Sequence, residues 1–197
     1  MPVADILLTP ATIWYAPVGE ALPADSVAYG ADWGGNWVNL GYTNTPVSMG
    51  YTNTKYKIIP EQLTAPVKQR ITAEDLAFEF TLIEMTGVNL ALALNGTAED
   101  TAAGVGQVGK TEVKMGGDSE VHEYTFGAEG EYVDDDGNSF PIRLQAYKCT
   151  ITMNGNLEFS KAKESGTPVR VEAIADTTKD VGEQLMLIQI ITADALS

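Results

Sequence analysis

The sequence predicts a mainly β protein: two packed β-sheets, sandwich- or barrel-like, with one short α-helix and a long extended arm. Three observations carry that prediction. The stretch 76–83 alternates strictly, with Phe78, Phe80 and Leu82 on one face and Glu79 and Thr81 on the other. Short apolar runs separated by Gly, Pro, Asn and Asp recur along the whole chain. Only 86–94, Thr86-Gly87-Val88-Asn89-Leu90-Ala91-Leu92-Ala93-Leu94, reads as a helix, and Asn95-Gly96 stops it as a left-handed C-cap would.

The elements follow in chain order. Segments 12–16 and 37–42 read as strands joined by a Pro/Gly/Asp-rich loop, and 47–51 leads into the arm. The arm, 52–72, contains Pro60 and Pro66 and keeps strand-like alternation on both sides of them. A connection this long inside a compact domain usually serves a function. A two-stranded projection has too little core to be stable alone, so binding should order it. After the helix, 95–109 is Gly/Ala-rich with few large apolar residues, which predicts an exposed, mobile connection. Strands are expected at 112–115, 121–126, 139–145, 148–153, 168–175 and 185–191. Asp134-Asp135-Asp136-Gly137-Asn138 and Asn154-Gly155-Asn156 read as hairpin tips. The apolar face switches from Leu144/Ala146 to Tyr147/Cys149/Ile151, which predicts a bulge or bend near Ala146. The last strand is apolar on both faces, so it should be buried or paired against another subunit. No repeat or second domain is visible, and 1–197 reads as one domain with a projecting arm.

Size and charge narrow the classes. A chain of 197 residues can bury roughly 70% of its unfolded surface. No apolar run is long enough to span a bilayer. The start, with Asp5 before a short apolar run and no basic leader, is not expected to be a secretory signal. The net charge of −15 argues against stable nucleic-acid binding, which needs cations for phosphates. Residues 97–141 hold eleven acids against Lys110 and Lys114, whereas Lys55, Lys57, Lys68 and Arg70 on the arm face only Glu61. The single cysteine, Cys149, excludes an internal disulfide and reads as a buried thiol, consistent with assembly in a reducing cytoplasm.

No constellation for catalysis emerges. His122, the only histidine, lies in an acidic strand, and no nucleophile-elbow sequence accompanies it or Cys149. The run 134–138 lacks calcium-loop spacing and its bidentate glutamate. Carboxylate pairs at 112–136 are what chance gives a chain with 27 acids. Asn95-Gly96-Thr97 is a glycosylation sequon that carries nothing without a leader. Phosphate-cradling loops and Cys/His zinc spacing are missing from the sequence. The expectation is a protein that is not an enzyme and needs no metal or cofactor.

The order of segments carries more. Ala11-Thr12-Ile13-Trp14-Tyr15-Ala16-Pro17-Val18-Gly19, then Trp37-Val38-Asn39-Leu40-Gly41-Tyr42-Thr43, the arm, a strand with Phe80-Thr81-Leu82-Ile83-Glu84 and a small Leu/Ala helix resemble the tail tube (major tail) proteins of long-tailed, siphovirus-like bacteriophages. The resemblance covers the first half closely and the second half as a compatible all-β pattern. It implies hexameric rings stacked into a hollow tube, with sheets of adjacent subunits joined in an inner barrel. It further implies an arm packed on the neighbouring ring, passage of DNA without stable binding, and tape measure and tail terminator partners. The implied location is the virion, after assembly in the host cytoplasm, with no membrane partner. On this reading Lys55, Lys57, Ile58, Ile59, Val67, Lys68 and Arg70 form the inter-ring arm, docking on an acidic surface of the adjacent ring. Glu79 and Thr81 become lumen-facing candidates, joined by Glu172, whose strand sets Val169/Val171 against Arg170/Glu172. The competing reading is an acidic β-sandwich carbohydrate-binding or adhesin module, with Trp14, Trp33 and Trp37 as sugar-stacking residues rather than core.

Overall fold

The computed structural model describes residues 10–134, 137–162 and 164–193. The N-terminal stretch read above as no secretory signal lies outside them, as do Asp135 and Asp136 of the first hairpin tip. In chain order the elements are β1 (Thr12–Pro17), β2 (Val38–Asn39), β3 (Ser48–Ile58), β4 (Lys68–Leu82), α1 (Gly87–Ala93), β5 (Thr97–Thr101), β6 (Lys110–Lys114), β7 (Glu123–Val133), β8 (Ser139–Met153), β9 (Thr167–Ala173) and β10 (Met186–Ile190). The large sheet runs β2-β1-β7-β8-β9-β4-β3, with β10 added to β8, and β5-β6 form a separate two-stranded sheet.

This large sheet folds over on itself. In a flat sheet β7 and β4 would stand three strand spacings apart, about 14 Å. Yet the rings of Phe78 and Phe80 on β4 lie 5.1 and 5.8 Å from that of Phe126 on β7. The turn is made at β8. Its first half, Ile142 to Ala146, pairs with β10, and its second half, Cys149 to Met153, pairs with β9. Against β7 the register slips between Tyr124 and Phe126, opposite Ala146 and Cys149, which is the bulge that the switching apolar face predicts. The segments expected as two strands, 139–145 and 148–153, are therefore one bent strand serving both halves. Between the halves sit Ile13, Leu40, Leu76, Phe78, Phe80, Leu82, Phe126, Cys149, Ile151, Val169 and Val171. No pairing among the described residues closes the sheet into a barrel.

The helix is built as its sequence reads. Thr86 Oγ1 accepts from the Asn89 amide at 3.1 Å. At the other end Asn95 takes a left-handed φ of 52°, and Gly96 N–H donates to Ala91 O at 2.8 Å in a Schellman-type closure.

Two expectations need correction. The strand expected at 37–42 shrinks to Val38–Asn39, because Leu40 turns into the core. The connection expected to be mobile, 95–109, instead contributes β5, which pairs with β6. Polar cross-strand contacts replace the missing apolar ones: Lys114 Nζ to Glu99 at 2.6 Å and Thr111 Oγ1 to Asp100 at 2.6 Å. In β10, the strand expected to be buried or paired against another subunit, Leu187, Ile188 and Ile190 are exposed within the subunit, and among the described residues it pairs with β8.

A second apolar cluster lies on the opposite face of β1. Trp14 stacks on Trp33 at 5.4 Å, and Trp37 meets Trp33 edge-on at 4.8 Å. Gly127 on β7 is the floor of this cluster, because a Cβ there would enter the Trp33 ring.

Candidate assembly surfaces

The arm is the upper part of the β3-β4 hairpin. Every residue of β3 is exposed, as are the first eight of β4. Threonine, tyrosine and isoleucine favour the extended backbone, and Pro60 sets the tip, where Leu63 N–H donates to Pro60 O at 3.0 Å. Val67 N–H donates to Ile58 O at 2.9 Å and closes the ladder. Near mid-arm Thr54 pairs with Ala73 but Lys55 pairs with Ile71, so Thr72 is an extra residue on β4. Directly opposed residues of an antiparallel pair share a face. Lys55 and Lys57, opposite Ile71 and Gln69, therefore lie on one face of the arm. Arg70 and Lys68, opposite Tyr56 and Ile58, lie on the other. The four cations thus surround the arm instead of forming one patch. Among the described residues none of them takes part in an ion pair. Ile58, Ile59, Leu63 and Val67 stay about half exposed at the tip, at 47, 54, 52 and 58%.

The acids of 97–141 do not make one surface. Glu129 is fully buried with Arg143, whose Nε donates to its Oε1 at 3.0 Å. Glu129 Oε2 accepts from the Gly30 amide at 3.0 Å, and the Arg143 guanidinium donates to the carbonyls of Ala24 and Val27. This pair pins the loop between β1 and β2 across the outer face of β7 and β8. Glu99, Glu112 and Glu123 are paired with Lys114, Lys110 and Lys148. Their shared hydrogen bond holds the Lys114 amine above its ordinary range and the Glu99 carboxyl below its own. Such exposed pairs contribute little stability. Asp118, Glu120 and Glu123 remain beside His122 in a shallow hollow.

Glu79, Thr81 and Glu172 stand on the side of β4-β9 away from the core, since Phe78, Phe80, Val169 and Val171 fill the inner side. Arg170, opposite Glu79 in the register, gathers the face. It donates to Glu79 at 2.6 Å and to Glu172 at 2.7 Å, and Asp75 lies 4.0 Å away. Hydrogen bonding to Glu172 and then to Glu79 holds the Arg170 guanidinium above its ordinary value. Three carboxylates around one guanidinium leave this face net acidic. Thr81 is not in that cluster; its amide is held by Thr45 Oγ1 at 2.8 Å. In the sequence Arg170 stands only in the alternation of Val169/Val171 against Arg170/Glu172, and its place opposite Glu79 comes from the pairing of β4 with β9.

The other candidates lose their chemistry. Trp14, Trp33 and Trp37 are 5, 5 and 6% exposed, so none presents an open ring face for a sugar. The Cys149 thiol is buried, donates to Tyr124 O at 3.3 Å, and is pushed far up by desolvation, which leaves almost no thiolate. Among the described residues no group of three His, Cys, Asp or Glu side chains is placed to hold a metal ion, and no helix is long and apolar enough to cross a membrane.

Comparison with known proteins adds one strong finding. A family model described as phage tail tube protein matches residues 4–193. No curated protein matches the chain in sequence. Among solved structures, the crystal structure of Hcp protein is similar at 11% identity, covering 83% of this chain and 86% of that one with a TM-score of 0.33.

Proposed function

The chain belongs to the phage tail tube protein family, and on that premise we propose that its copies close into hexameric rings which stack into a hollow tube delivering DNA to the host. Membership makes it a structural component of the virion. The observation that carries the finer reading is the arm: a long two-stranded projection, exposed on both faces, with unpaired cations and apolar residues at its tip. All of β3 and the first eight residues of β4 are exposed, and a two-stranded projection with so little core favours a partner in the assembly.

Sheet edges support the same reading. Among the described residues strands β3, β10 and β2 of the large sheet each pair on one side only, and free edges are templates for another chain. Met49 and Tyr51 beside one edge, and Ile188 and Ile190 beside another, give those edges apolar flanks. A single contact between unlike edges, repeated by rotation, closes a ring without new chemistry. The acidic face around Asp75, Glu79 and Glu172 suits a lumen, because like charge keeps phosphates from binding and slowing. Thr81 shares that side. Tape measure and tail terminator proteins are the further partners on this reading, with assembly in the host cytoplasm.

The test is gel filtration with light scattering over a range of concentrations. Rings or polymers are expected without any cofactor. A strictly monomeric species at high concentration would instead favour a monomeric binding module.

A further inference from the structure

Between the base of the arm and β10 lies an open apolar cleft of about 700 Å³. Met49, Tyr51 and Ile71 line one wall, Met186 and Ile188 the other, and Glu74 and Glu183 stand among them. Among the described residues no lysine or arginine lines it. Resting on the tube reading, we propose that this cleft receives the arm tip, residues 58–67, of a second copy of this chain in the adjacent ring.

Size and chemistry of the tip fit this one occupant. Ile58, Ile59, Leu63 and Val67 are half exposed, and none of them belongs to either apolar cluster of the described residues. Lys57 and Lys68 flank them in sequence, and the cleft offers carboxylates without a competing cation. Tyr51 Oη–H donates to Glu74 Oε1 at 2.5 Å, which holds that carboxylate at the cleft wall. The tip cannot fill the cleft of its own subunit. Its ladder is continuous from Ser48/Glu79 to Ile58/Lys68, interrupted only by the extra Thr72. Ile58 therefore stands seven residues, about 23 Å, beyond Tyr51 along a paired hairpin. Folding back would break that ladder. Each copy thus offers a tip at one end and a cleft at the other, a head-to-tail contact that repeats indefinitely along one axis.

Two variants that each add one cysteine, Leu63→Cys and Ile188→Cys, test this when mixed, assembled and oxidised. The native Cys149 is buried and gives a silent background. A disulfide-linked dimer in the assembled mixture, absent from either variant alone and from unassembled protein, is the expected result. Tubes that form but give no cross-link overturn the cleft assignment and leave the tube reading intact. Wild-type protein that never assembles overturns the tube reading itself. Should the cysteine variants alone fail to assemble, charge exchange decides. Glu183→Lys should slow polymerisation roughly tenfold, with Lys68→Glu in the same chain restoring it. Slowing without that restoration, or no slowing at all, overturns the proposal.

Discussion

Glu129 and Arg143 face each other across β7 and β8 with neither side chain exposed, and each side-chain nitrogen and oxygen of the two has a hydrogen-bond partner. Removing one partner strands a buried charge. Glu129→Ala should therefore cost about 3–5 kcal/mol, measured by denaturant unfolding, whereas replacing both residues by apolar ones of similar volume should cost far less. Equal losses in the single and double variants would show that the pair does not act as a unit. Cys149 gives a second check: its thiol should resist alkylation in the native protein and react fully once unfolded. Asp176 gives a third. Its carboxyl is held below the ordinary 3.8, first by the Thr178 hydroxyl and then by the Thr178 amide. A depressed carboxylate stabilises the fold above the unfolded pKa and loses that contribution as pH falls through the folded one. The loop 174–185 should thus keep its protease resistance from pH 8 to 5 and loosen only below about 4. The buried pair was illegible in the sequence. Glu129 sits in an acidic stretch that reads as surface, and what covers it is a loop about 100 residues away. Cys149 was legible, because strand alternation alone places it inward.

At the scale of elements, the arm was visible from its two prolines and the alternation flanking them. The bulge at Thr72 was not, and that bulge, with the register, decides which cation faces which way. With cations on both faces, Lys55→Glu/Lys57→Glu and Lys68→Glu/Arg70→Glu should each slow polymerisation while leaving the subunit folded. Wild-type assembly should also slow as salt rises, since exposed charges are screened. Normal polymerisation of both double reversals, indifferent to salt, would reduce the cations to solvated side chains. Amides of 52–72 should exchange quickly in the free subunit and slowly in tubes, because a hairpin without core opens first. Equal protection in both states would reject docking of the arm. The β5-β6 hairpin escaped the sequence because Lys114–Glu99 and Thr111–Asp100 hold it, and hydrophobic periodicity has nothing to detect there.

For the whole molecule, period-2 alternation announced a mainly β chain, and the shift of face near Ala146 announced the bend in β8. Pairing order was beyond reach, since nothing local says that one bent strand serves both β10 and β9. That bend folds the sheet, and among the described residues β2, β3 and β10 keep a free edge, the feature a repeating assembly needs. Electron microscopy of the purified protein at high concentration measures most directly whether these edges and the arm build a tube. Hollow tubes of stacked, sixfold rings, formed without added cofactor, are the predicted result. Micrographs showing only separate monomers under the same conditions would contradict it.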